Sequence, residues 1–229
     1  MLALAVSLGI AEHLTAMGDV ISSGTSSWQG SDYEIVYWSQ FPTGSPFGSQ
    51  YFTDLYPEFD AGVADDFEFA ETTTITRIRW WGGYWNGSQP YPIDTSVLIY
   101  LYLDDGTGHA PTLPQHSTAI QTWIIPPGNY DEVLDGSYYR CEFDFPSGVV
   151  FDPGVKYWFE IRKSFAYTPY GLYGWVESAP GLLAPSVQGF DGLGIPWWRV
   201  RDAGSAFELT WVPPTTLDRS TWAEIKTIF

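Results

Sequence analysis

Hydrophobic and polar residues alternate over short runs along most of this chain, and clusters of Gly, Pro, Asn and Asp separate the runs. Alternation with period two predicts half-buried strands, and runs of this length with such punctuation predict an all-β domain. Ten segments carry the pattern: 33–38, 63–69, 74–81, 97–103, 119–125, 138–145, 155–161, 172–176, 197–200 and 206–211. Residues 97–103 (VLIYLYL) are apolar on both parities, which predicts a central strand covered on both sides. In 155–161, Val155, Tyr157, Phe159 and Ile161 share the inward parity, while Lys156, Trp158, Glu160 and Arg162 take the outward one. In 74–81, Ile78 and Trp80 share one face and Arg77, Arg79 and Trp81 the other, with a break or bulge expected at Gly82-Gly83. The predicted fold is all-β: a two-sheet antiparallel sandwich, jelly-roll-like, with about ten strands.

The pattern also divides the chain. Residues 28–212 form the sandwich domain, preceded by a Ser/Gly-rich linker at 18–30. Residues 41–59 read as one long loop, either functional or packed over the sandwich edge. Residues 1–22 read as a signal peptide or an N-terminal helix. The apolar run 2–11 ends in small residues, but no Lys or Arg precedes it. That run is too short to span a bilayer, so no membrane span is expected. Residues 213–229 read as a tail with a short helix, N-capped by Ser220 or Thr221 with Glu224 three residues beyond Thr221.

Composition sharpens this picture. Of 229 residues, 45% are hydrophobic and 18% aromatic, with 12 Trp, enough for a core built largely of rings. The formal net charge is −17. Such a surface repels phosphate backbones and anionic membranes, so nucleic acid is not an expected partner. The single cysteine, Cys141, excludes an intrachain disulfide and shares the apolar parity of Phe143 and Phe145.

Several segments together resemble a group of exported bacterial domains. Ala64-Asp65-Asp66-Phe67 followed by Ile75 to Gly82 (ITRIRWWG) is similar to their "ADDF…T.I.WWG" opening. Gly154 to Ile161 (GVKYWFEI) is similar to their "G..YW..I" strand, and Ala206 to Thr210 (AFELT) to their closing strand. Residues 220–229 (STWAEIKTIF) resemble a "TWG.IK.L" tail. The resemblance implies an extracellular, jelly-roll-like sandwich beside surface-anchoring or sorting segments, and it brings no catalytic residues.

Three kinds of chemistry remain open. Asp65 shares the inward parity of Phe67 and Phe69, and an inward carboxylate is costly unless hydrogen-bonded or metal-bound. It therefore either accepts backbone N–H bonds and pins a neighbouring loop, or binds Ca²⁺ with Asp60, Asp104 and Asp105; calcium is the one cofactor considered. Asp66, Glu68, Glu142, Asp144 and Glu160 alternate outward and could supply the carboxyl pair of a glycoside hydrolase, or serve solubility alone. Finally, Trp81, Tyr84, Trp85 and Trp198 could present flat rings to a polysaccharide, or be covered by loops. His13, His109 and His116 lack metal-site spacing. Nucleophile-elbow, zincin, P-loop and dinucleotide motifs do not occur. The reading that unites these features is a non-catalytic domain, secreted or at the cell surface, that is structural or binds polysaccharide or other surface components. A glycoside hydrolase is the enzyme alternative.

Overall fold

The computed structural model describes residues 34–54, 59–88, 90–112, 118–180, 182–190 and 198–213. The expected signal peptide, His13, His116, Trp197 and the helix at 220–226 lie outside the described residues.

Two seven-stranded sheets make up the described fold. The first holds β1 (Ile35–Gln40), β2 (Pro42–Gly48), β5 (Thr73–Trp85), β8 (Asp131–Asp135), β9 (Tyr138–Phe151), β11 (Leu172–Ser178) and β14 (Phe207–Trp211). The second holds β3 (Gln50–Phe52), β4 (Ala61–Glu68), β6 (Ser96–Leu103), β7 (Gln121–Ile125), β10 (Lys156–Phe165), β12 (Val187–Phe190) and β13 (Trp198–Val200). This is the expected two-sheet sandwich, with two differences. The second sheet is mixed, because β3 runs parallel to β10. Strands β2, β3, β8 and β12 add to the ten expected. β2 and β3 arise from the segment expected to be a loop. β2 contains Pro42 and Pro46, yet it pairs only with β11 at the sheet edge, where a missing N–H is tolerated.

Strand β5 organises the first sheet. One edge pairs with β9 from Thr73 to Gly82. The other edge is shared end to end by β14, opposite Arg77–Trp80, and β11, opposite Gly82–Trp85. Gly82-Gly83 does not break the strand. A Cβ on Gly82 would lie 2.0 Å from the Tyr173 hydroxyl, so the glycine makes room for that ring.

The facing sides of the two sheets enclose the main core, which includes Phe67, Ile78, Trp80, Phe151, Phe159, Ile161, Trp175 and Phe207. The Phe67 ring stacks on Phe159 with centroids 5.1 Å apart and meets Phe151 edge-on at 5.1 Å. Cys141 is buried here as expected. The outer side of β10 departs from expectation: Trp158, Glu160 and Arg162 are fully buried, not solvent-facing. Trp158 packs with Ala64, Tyr102, Ala184 and Val187, and Trp198 lies against the same cluster. β4 is likewise covered on both faces, so Asp65 and Asp66 are both 0% exposed. No helix among the described residues is long and apolar enough to cross a membrane.

Candidate functional site

The outward residues of β5 meet a ladder of charge. Arg77 lies opposite Asp144 and Arg79 opposite Glu142 in the β9 register, with Glu208 of β14 on the other side of Arg79. Arg77 Nε reaches Asp144 Oδ1 at 2.5 Å, and Arg79 reaches Glu142 at 2.9 Å, Glu208 at 2.5 Å and Glu34 at 3.2 Å. On the second sheet, Lys156 Nζ lies 2.8 Å from Asp66, whose carboxylate also accepts the Ala184 N–H at 3.2 Å. Burial raises the Asp66 pKa against the pull of Lys156. Glu160 accepts hydrogen bonds from Arg162 and, at 2.7 Å, from the Tyr102 hydroxyl. Asp66, Glu142, Asp144 and Glu160 thus each hold a basic partner, and Glu68 sits half-buried at the end of β4.

The four aromatic residues singled out from the sequence do not form one platform. Trp81 is 5% exposed, not open. It faces away from the main core as its parity requires, but Phe41 meets it edge-on at 6.1 Å and Val176 and Ala206 cover it. Its indole N–H donates to Asp135 at 2.9 Å. Trp85 shares that face and lies half-buried over Gly174. Tyr84 has the opposite parity and turns between the sheets, against Tyr91, Tyr139 and Tyr173 at 5.1 Å each. Trp198 belongs to the other sheet, where it packs on Tyr102 and donates its N–H to the Thr112 carbonyl at 3.0 Å.

The acids considered for calcium are dispersed over separate backbone sites. Asp60 accepts the Phe52 N–H at 2.8 Å. Asp65 accepts the N–H groups of Ser205 at 2.5 Å and Asp66 at 2.9 Å, and the Gln40 amide at 3.3 Å. This is the loop-pinning alternative read from its parity. Asp104 accepts from Gly106, Gly108 and the Trp158 indole, while Asp105 caps Thr107. The contacts of Asp104 to Gly106 and of Asp105 to Thr107 are Asx turns that organise the tip after β6. Among the described residues, no group of three or more His, Cys, Asp or Glu could hold a metal ion.

Two features escaped the sequence reading. The first is an open pocket of about 380 Å³ lined by Phe52, Phe59, Tyr167 and Leu172. Phe52 and Tyr167 meet edge-on at 6.1 Å, and the Thr168 N–H donates to Asp54 Oδ2 at 3.2 Å beside them. Its rings come from segments far apart in sequence, so no local motif marks it. The second is the inward-facing Lys163. It follows Ile161 by two positions, and that parity was the available signal. Its ammonium lies 5.2, 5.3 and 5.2 Å from the ring centroids of Tyr84, Tyr130 and Tyr173 and contacts the Glu132 carboxylate. Lys163 Nζ also donates to the Tyr84 hydroxyl at 2.5 Å. Glu132 accepts further bonds from Tyr84 at 2.7 Å, Tyr130 at 3.1 Å and the Asp94 N–H at 2.9 Å. Burial raises the pKa of all three tyrosines and of the neighbouring Cys141 thiol, so these groups stay protonated at neutral pH.

No curated protein matches this chain. Residues 36–216 match a family model whose description is "Domain of unknown function (DUF7901)", a span that takes in every strand from β2 to β14 and nearly all of β1, and the chain belongs to that family.

Proposed function

We propose that this chain is a non-catalytic sandwich module that works outside the cell or at its surface, as a structural or binding part. The observation that carries the reading is the pairing of the candidate acids. A glycoside hydrolase needs two carboxyl groups facing one another across an open cleft. Here Asp66, Glu142, Asp144 and Glu160 are each neutralised by Arg or Lys. Such pairing occupies the carboxylate oxygens that a general acid or a nucleophile would have to present to a sugar. The experiment is incubation of the purified domain with a panel of polysaccharides and aryl glycosides. No turnover is expected. Turnover abolished by Glu142→Gln or Glu160→Gln would refute the proposal.

A carbohydrate-binding role is a second reading, favoured by the Phe52–Phe59–Tyr167–Leu172 pocket. Phe59 is 58% exposed there, and rings at the mouth of an open pocket suit the C–H faces of a sugar. Titration of tyrosine and tryptophan emission with the same polysaccharides tests it. Binding should weaken at least tenfold in Phe59→Ala and Tyr167→Ala. Binding unaffected by both substitutions would rule this pocket out.

A further inference from the structure

The arrangement around Lys163 asks for an explanation beyond packing. Lys163 is 0% exposed and its ammonium sits between the two sheets, ringed by tyrosines. Its carboxylate partner, Glu132, is on β8, an edge strand paired only with β9. Burying two ions is costly even when they are paired, and that cost vanishes if both become neutral. A pair held in contact also has a very large effective concentration, and exclusion of water disfavours the reverse hydrolysis.

We propose that Lys163 and Glu132 condense to a side-chain amide, stapling β8 of one sheet to β10 of the other. The reaction consumes the ammonium and the carboxylate and releases one water, with no oxidant, reductant or other reactant. The Tyr84 hydroxyl accepts a hydrogen bond from Lys163 Nζ and donates one to Glu132 Oε1, so it can relay a proton from nitrogen to that oxygen. The freed amine lone pair attacks Glu132 Cδ. The Tyr130 hydroxyl and the Asp94 N–H, both on Oε2, stabilise the oxygen that gains negative charge. The second nitrogen proton then passes to Oε1, the Cδ–Oε1 bond breaks, and Oε1 departs as water. Nζ is left bonded to Cδ, with Oε2 as the amide carbonyl. In a chain whose single cysteine, Cys141, is buried and unpaired, such a bond is a covalent substitute for a disulfide.

The test is intact-mass spectrometry of the folded wild-type chain after denaturation, followed by trypsin digestion and tandem sequencing. The expected result is a mass one water below that of the sequence, resistance to cleavage after Lys163, and a branched peptide joining 132 to 163. Lys163→Arg, which cannot form the bond, should recover the full mass. A wild-type chain of full mass, cleaved normally after Lys163, overturns the proposal. So does a missing water that maps to a succinimide at Asp105-Gly106 or Asp135-Gly136.

Discussion

Asp65 and Ser205, 140 positions apart, meet where the buried Asp65 carboxylate accepts the Ser205 backbone N–H at 2.5 Å. Asp65 belongs to one sheet, and Ser205 leads into β14 of the other. The contact therefore ties the layers together at a point where apolar packing alone would leave a donor unsatisfied. Asp65→Ala strands the N–H groups of Ser205 and Asp66 in the interior. The expected loss is about 2–4 kcal/mol, measured by urea unfolding at neutral pH. A loss below about 0.5 kcal/mol would mean that the carboxylate does not hold the loop.

The same residue should leave a signature in pH. Burial raises the Asp65 pKa well above its ordinary 3.8. The folded state therefore holds this proton more tightly than the unfolded chain does. The stabilisation from Asp65 is fully present below 3.8 and is lost as pH rises through the folded-state value. Asp65→Asn removes that titration. The stability difference between wild type and Asp65→Asn should shift against the wild type as pH rises from about 4 toward neutrality. A difference independent of pH across that range would contradict the raised pKa.

Trp81 provides a separate test of burial against ligand binding. Trp81→Ala deletes a buried indole and should cost about 3–5 kcal/mol. Trp81→Phe keeps most of the packing and loses the bond to Asp135, for about 0.5–1.5 kcal/mol. Neither substitution should change affinity for any polysaccharide that the domain binds, once the variant is shown to be folded. A selective loss of affinity in Trp81→Phe would return this ring to the binding surface.

Gly174 sits where β11 passes β2. A Cβ there would lie 2.2 Å from the Phe47 carbonyl oxygen and 2.9 Å from the Trp85 ring. The first obstacle is backbone and cannot rotate away. Gly174→Ala should displace β2 and lower stability by about 2 kcal/mol or more, with faster amide exchange concentrated in β2. Unchanged exchange protection at Phe47 would show that the strand accommodates the methyl group.

Much of the architecture was legible because period-two alternation reports strands directly, and residues 97–103 announced a strand covered on both sides. β2 and β8 were hidden for opposite reasons. Pro42, Gly44 and Pro46 look like loop residues, and Asp131, Glu132 and Asp135 look like solvent-facing charge. Both strands are edges, where pairing on a single side lets composition depart from the usual preferences. Parity placed Tyr84 opposite Trp81 and Trp85, so a single platform of the three was already at odds with the sequence pattern. The Phe52–Tyr167 pocket could not be read, because its walls share no local spacing.

The order of residues alone determined that this chain forms pleated layers, that Phe67 and Phe159 point between them, that Trp80 shares a face with Ile78, and that an inward Asp65 needs hydrogen-bond donors or a metal ion. Periodicity carries such information because a strand sends successive side chains to opposite faces. Only the tertiary structure decided whether the outer faces are wet or covered. It buried Trp158, Glu160 and Arg162 beneath the cluster containing Ala184 and Val187, and it brought Lys163 to Glu132 across the sandwich. Those outcomes depend on which distant segments cross which face, and contacts between residues far apart in sequence leave no periodic trace in either partner.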